Sequence, residues 1–76
     1  MDKNSLIRTL SSMKIPKDSY SIDSIENESL CLIKDGILWS VFYSERGQRS
    51  GEEYFNQEEA ACKAFLQRLK KMLGLK

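Results

Sequence analysis

The chain has 76 residues, of which 12 are lysine or arginine and 11 are aspartate or glutamate, so its formal net charge is +1. This length fits one domain, and a hydrophobic content of 41% is typical of a folded globule. The balanced charge gives no case for nucleic acid or an anionic membrane as the partner. The absence of histidine removes the usual general base and the commonest metal ligand.

The first element that the sequence predicts is a helix over about residues 4–14. Its apolar positions follow the spacing of one helical face: Leu6, Ile7, Leu10 and Met13. Asp2 or Asn4 can cap its N-terminus, and Pro16 ends it because proline disfavours helical backbone in the residue before it.

Strand patterns fill the middle of the chain. Residues 20–25 alternate apolar and polar side chains, which predicts a half-buried strand, and a second strand follows over 29–34. Asp35-Gly36 predicts a tight hairpin turn into a third strand over 37–44, with Trp39, Val41 and Tyr43 on one face. Residues 45–51 are polar and predict a loop or irregular strand end, and residues 52–55 predict a short fourth strand.

The last element is a helix over about residues 57–73. Its apolar stripe consists of Ala61, Cys62, Phe65, Leu66, Leu69, Met72 and Leu73. Asn56 and Glu59 have the spacing of a capping box, and Gly74 lies where a helix commonly ends.

These elements predict a single α+β domain over residues 1–76, in the order α-β-β-β(-β)-α. We expect an antiparallel sheet with the N- and C-terminal helices on one face. No leader peptide or apolar run long enough for a membrane span is visible, so we expect a cytoplasmic chain. Cys31 and Cys62 are then expected to be reduced and buried.

The sequence contains no pattern that predicts catalysis. No nucleotide-binding loop is present, and the two cysteines lack the spacing of a zinc site. The carboxylate pairs Glu52-Glu53 and Glu58-Glu59 lie in polar stretches, where a solvated or helix-capping role is expected. We therefore expect a binding protein without catalytic residues, metal or cofactor.

Charge is segregated along the chain. Residues 18–28 hold four acidic side chains and no basic one, and residues 45–59 hold five acids against Arg46 and Arg49. Residues 63–76 hold five basic side chains and no acidic one. This segregation is compatible with ordinary solvated surface, or with an acidic edge that steers a basic partner. On the second interpretation, the candidate binding residues are Asp23, Glu26, Glu28, Glu52 and Glu53.

One stretch resembles a known family. The run Trp39-Ser-Val-Phe-Tyr-Ser-Glu-Arg-Gly47 is followed by Tyr54-Phe55-Asn-Gln-Glu-Glu-Ala-Ala-Cys62 and then by Phe65-Leu66. This pattern is similar to that of small bacterial immunity proteins encoded beside polymorphic or contact-dependent toxins. The specific part of the resemblance covers residues 39–66.

The resemblance implies a protein that binds a cognate toxin domain and blocks it. Four residues of the matching stretch then become candidate contacts: Trp39, Tyr43, Glu45 and Arg46. Many such toxins are nucleases with basic clefts, which acidic stretches would suit. The net charge of +1 departs from the strongly acidic character of many nuclease inhibitors, so a toxin of another type stays open. Trp39 can equally be a core residue, and Glu45 and Arg46 can simply shape a loop.

Two other functions fit the same order of elements. A homodimer could form through open sheet edges or exposed aromatic faces. The order is also that of double-stranded RNA-binding domains, and residues 60–66 resemble their final helix. Those domains need basic residues where this chain has acidic ones that would repel phosphate: Glu52, Glu53, Glu58 and Glu59.

Overall fold

The computed structural model describes residues 1–75, which form two helices and four strands. In chain order the elements are α1 (Lys3–Ser12), a 3-10 turn (Lys17–Ser19), β1 (Tyr20–Ile22), β2 (Ser29–Asp35), β3 (Leu38–Glu45), β4 (Gln48–Phe55) and α2 (Glu58–Met72). The α+β class and the order of the elements are confirmed.

The sheet has the order β1-β2-β3-β4 and is mixed. β2, β3 and β4 are antiparallel, as expected, but β1 pairs with β2 in parallel, with Tyr20 opposite Leu30 and Ile22 opposite Leu32. An alternating pattern identifies the buried face of a strand but carries no information on its direction. The prediction of a fully antiparallel sheet was therefore wrong for its first strand.

The connection between the parallel strands, residues 23–28, lies over the sheet face opposite the helices. Its carbonyl groups accept hydrogen bonds from two buried serines of that face: Ser21 Oγ donates to Ser24 O (2.8 Å) and Ser29 Oγ donates to Glu26 O (2.8 Å). This connection starts at Asp23, so the strand predicted over residues 20–25 is shorter than expected, and Ile25 is exposed.

Local signals mark the N-terminus of α1 and the C-terminus of α2. Asp2 Oδ1 accepts a 2.8 Å hydrogen bond from the Ser5 N–H, which confirms the aspartate as the N-cap of α1. The N-cap of α2 is Gln57 rather than Asn56, and its side chain makes no capping hydrogen bond. Gly74 has φ +70°, and Leu75 N–H donates to Lys70 O (2.7 Å), which is the Schellman ending that the glycine predicted.

Both helices pack on one face of the sheet, as expected. The core between them contains Leu6, Leu10, Ile15, Leu30, Leu32, Val41, Ala61, Cys62, Phe65 and Leu69. Cys31 and Phe42 are fully buried on the other face, where residues 23–28 and Arg49 cover them. Neither cysteine forms a disulfide. No helix within residues 1–75 has the length and apolar character needed to cross a membrane.

Candidate protein-binding site

Two acidic connections that are far apart in sequence meet at one end of the sheet. Arg46 N–H donates a 2.7 Å hydrogen bond to Asn27 Oδ1, and Glu28 N–H donates a 2.7 Å hydrogen bond to Ser44 O. The side chains of Glu26, Glu28, Glu45 and Arg46 are exposed there, and we call these four residues the acidic tip. The structure thus brings together two of the candidates from the first acidic stretch and two from the matching motif.

The β3–β4 connection at the acidic tip is tighter than the sequence predicted. Arg46 and Gly47 are its only residues outside the strands, and both have positive φ (51° and 76°), as a type I′ turn requires. The polar stretch that was expected to be a loop is therefore mostly strand, and β4 has eight residues instead of four. Polar side chains concealed this strand because its outer positions face solvent.

Two of the four non-glycine residues with positive φ in residues 1–75 lie at the acidic tip, and the other two are Lys14 and Asp23. Glu28 (φ 57°) and Arg46 (φ 51°) both occupy the left-handed region, which asparagine and glycine adopt more readily. Each such residue costs on the order of 1 kcal/mol unless its surroundings hold it. Here the backbone N–H groups of the two residues donate to Ser44 O and to Asn27 Oδ1, and these hydrogen bonds hold both residues.

The carboxylates of the acidic tip are available to a partner. The carboxylates of Glu26, Glu28 and Glu45 form no ion pair with any residue in the described part of the chain. A pocket of about 320 Å³ lies beside Glu45 and is also lined by Arg46, Gln48 and Ser50. A basic side chain of a partner therefore meets carboxylates that are not already neutralised.

Other predicted site residues lie elsewhere. Asp23 lies near α1, where its carboxylate is 2.7 Å from Lys3 Nζ, and this hydrogen-bonded pair raises the pKa of Lys3. Glu52 lies on the face opposite the helices. It accepts hydrogen bonds from Ser40 Oγ (2.7 Å) and Arg49 Nη1 (2.6 Å), and these donors, Ser40 first, hold the pKa of its carboxyl below the ordinary value. Both acids are already paired within the chain.

The two aromatic candidates have largely structural surroundings. Trp39 and Tyr43 are half-buried and pack against the core on the helix face. Trp39 pairs with Lys34 and Phe55 at the opposite end of β3 from the acidic tip, and the Lys34 ammonium lies 5.6 Å from the centre of its ring. Tyr43 pairs with Ser50 near the acidic tip and lines a groove between β4 and α2.

That groove involves Arg68, a residue that the sequence analysis did not single out. The β3–β4 register shifts between Val41 and Tyr43, so β4 contains a bulge at Gly51, which has φ +59°. Arg68 Nη1 donates to Gly51 O (2.7 Å), to Val41 O (3.3 Å) and to Glu53 Oε1 (3.3 Å). A glycine inside a strand pattern was the available signal for this bulge.

Comparisons with known proteins identify no relative. No protein-family model matches the sequence, and neither the curated proteins nor the solved structures include one with significant similarity.

Proposed function

We propose that this chain is an immunity-type protein that binds a toxin domain through the acidic tip and neutralises it by occlusion. The observation that carries the proposal is the convergence of residues 26–28 and 45–46 on one end of the sheet, with three carboxylates that form no ion pair within residues 1–75. The resemblance to immunity proteins over residues 39–66 suggests that the partner is a toxin domain. The resembling stretch includes Glu45 and Arg46 of the acidic tip.

The charge of the acidic tip favours a basic surface on the partner. Exposed carboxylates of one sign accelerate the encounter with a cationic cleft and disfavour acidic partners. The tip is also preformed by backbone hydrogen bonds, so binding does not have to order two loops. A basic nuclease cleft has this chemistry, and so does any toxin with a cationic functional surface.

The strained residues supply a second line of support. Asparagine or glycine would relieve the backbone at positions 28 and 46, yet the chain carries glutamate and arginine there. A charged side chain at a strained position is explained when the side chain contributes to binding. Strained backbone of this kind is concentrated at functional sites in other proteins.

The sheet edge is a weaker candidate for the partner surface. β4 is an edge strand, but its bulge at Gly51 and the charged side chains of Arg49 and Glu52 interrupt the regular edge that strand pairing needs. We therefore favour the acidic tip over homodimerisation through β4.

Co-expression with the toxic domain encoded immediately upstream of the gene tests the proposal. We expect rescue of growth and a complex that co-purifies with the chain. Glu28→Lys combined with Glu45→Lys should abolish both, whereas Asp35→Lys combined with Glu59→Lys changes the net charge equally, away from the acidic tip, and should retain both. If the native chain neither binds nor rescues, the immunity function is wrong. If both double variants behave like the native chain, the assignment to the acidic tip is wrong.

A further inference from the structure

The groove between β4 and α2 contains several hydrogen-bond donors beside an apolar wall. It has a volume of about 740 Å³, and Tyr43 and Met72 contribute its apolar part. Arg68, Lys71 and the hydroxyl of Ser50 also line it, with Glu53 as its one carboxylate. Ser50 lines the pocket of the acidic tip as well, so the two surfaces are contiguous.

Arg68 is fixed in this groove with part of its donor capacity unused. In residues 1–75, Nη1 is the donor of all the hydrogen bonds of its guanidinium, and the acceptors are two backbone carbonyls and Glu53. Nη2 lies close to Gly51, because a Cβ atom added to that glycine would be 3.0 Å from Nη2. The glycine therefore makes room for the guanidinium, and the bulge carbonyl orients it.

Lys71 adds a second cation one helical turn further along α2 from Arg68. It is exposed and forms no ion pair with residues 1–75, whereas Glu53 is 3.3 Å from Arg68 Nη1. The groove thus has two cations and one carboxylate, and that carboxylate interacts with only one edge of the guanidinium. Its unused donors are suited to one small anion.

We propose that this groove binds the carboxylate of an acidic side chain of the partner protein, with Lys71 and Arg68 Nη2 as the charged donors and with the aliphatic stem against Met72 and Tyr43. That a partner protein supplies the carboxylate rests on the proposed function. A planar carboxylate suits the free edge of a guanidinium. A nucleic acid is disfavoured because Glu45 of the adjoining acidic tip would repel the neighbouring phosphates.

The consequence is a two-part recognition surface. The acidic tip selects a basic patch on the partner, and the groove next to it selects an acidic side chain beside that patch. A partner with only a uniform positive surface would leave Lys71 and Arg68 Nη2 opposed by like charge, which costs affinity. Specificity among basic toxins would then depend on the groove.

Carboxylate binding by the groove can be tested on the free protein without any toxin. A negative result for the groove is therefore distinguishable from a negative result for the immunity function. We would titrate the isotope-labelled chain at low salt with acetyl-Gly-Glu-Gly-amide and, as a matched probe, with acetyl-Gly-Gln-Gly-amide, while recording backbone amide spectra. The glutamyl peptide should shift the amides of Ser50 and Gly51, and the glutaminyl peptide should not. Lys71→Gln should weaken the glutamyl peptide about fivefold. Lys63→Gln, an exposed change elsewhere on α2, should leave its affinity unchanged.

Three results would overturn the proposal. The first is no shift at Ser50 and Gly51, the second is equal shifts with both peptides, and the third is equal weakening by Lys63→Gln and Lys71→Gln. A parallel titration with inorganic phosphate provides a further control. Phosphate that shifts the same amides at lower concentration than the glutamyl peptide would mean a phosphate site and would contradict the carboxylate assignment.

Discussion

Arg46 N–H and Asn27 Oδ1 are 2.7 Å apart, although the two residues are separated by 19 positions in the sequence. This hydrogen bond joins the β3–β4 turn to the β1–β2 connection and fixes Glu45 and Arg46 relative to Glu26 and Glu28. The acidic tip is therefore one surface with a defined geometry rather than two independent loops.

Removal of the Asn27 acceptor should loosen the acidic tip. We expect Asn27→Ala to lower the free energy of unfolding by about 1 kcal/mol, the usual contribution of such a hydrogen bond. Asn27→Asp keeps an acceptor oxygen for the Arg46 N–H and should unfold close to the native chain in urea. Equal stabilities of the alanine variant and the native chain would contradict the role of this contact.

A substitution that relieves strain at position 28 should change the stability of the chain and its affinity for the partner in opposite directions. Glu28→Asn should raise the free energy of unfolding by about 0.5 kcal/mol, because asparagine tolerates the left-handed backbone, while it weakens the complex by removing a carboxylate. Glu28→Ala removes the same charge without relieving the strain. Urea unfolding should rank asparagine above alanine, and the two variants should bind the partner equally weakly. An asparagine variant that is less stable than the alanine variant would refute the strain argument.

A larger residue at the Gly51 bulge should destabilise the fold. Gly51→Ala and Gly47→Ala should each lower the free energy of unfolding by about 1 kcal/mol, because both positions have positive φ. Gly47→Ala is the matched control, since no atom lies within 4 Å of a Cβ built there. Position 51 should cost more than position 47, because the added Cβ displaces the guanidinium of Arg68. That excess should disappear when both glycine variants are measured again with Arg68→Ala. An excess that persists in that background would mean that Arg68 is not its cause.

Glu52 should contribute to a loss of stability in acid. Its hydrogen bonds from Ser40 and Arg49 hold the folded pKa below the unfolded value, so protonation favours the unfolded chain. The stabilisation is present above the ordinary glutamate pKa of about 4.3 and is lost as the pH falls through the lower folded value. Thermal unfolding between pH 6 and 2, in roughly half-unit steps, should show a shallower acid decline for Glu52→Gln and for Ser40→Ala. Unchanged declines would contradict this assignment.

The helices and the fold class were predictable because they depend on local signals. The expected range 57–73 for the last helix is close to Glu58–Met72. Gly74 was correctly identified as an end signal, Asp2 was one of the two predicted caps of α1, and the Asn56 cap was wrong. The faces of β3 were also predictable, since Trp39, Val41 and Tyr43 alternate with residues of the other face.

The direction of β1, the length of β4 and the assembly of the site were not predictable in this way. Strand direction depends on the path of residues 23–28, which side-chain alternation does not encode. The bulge at Gly51 and the solvent-facing residues of β4 obscured its strand pattern. Glu28 and Arg46 are neighbours only because of the β2–β3 register, and Arg68 reaches Gly51 only through the tertiary packing of α2.

The association rate of the chain with its toxin tests the central claim most directly. We would compare Glu28→Asn combined with Glu45→Gln against Asp35→Asn combined with Glu59→Gln, which have the same net charge. At low salt the first pair should reduce the association rate about tenfold and flatten its salt dependence, and the second pair should leave both near the native values. Equal effects of the two pairs, or none from the first, would mean that the acidic tip is not the surface that meets the partner.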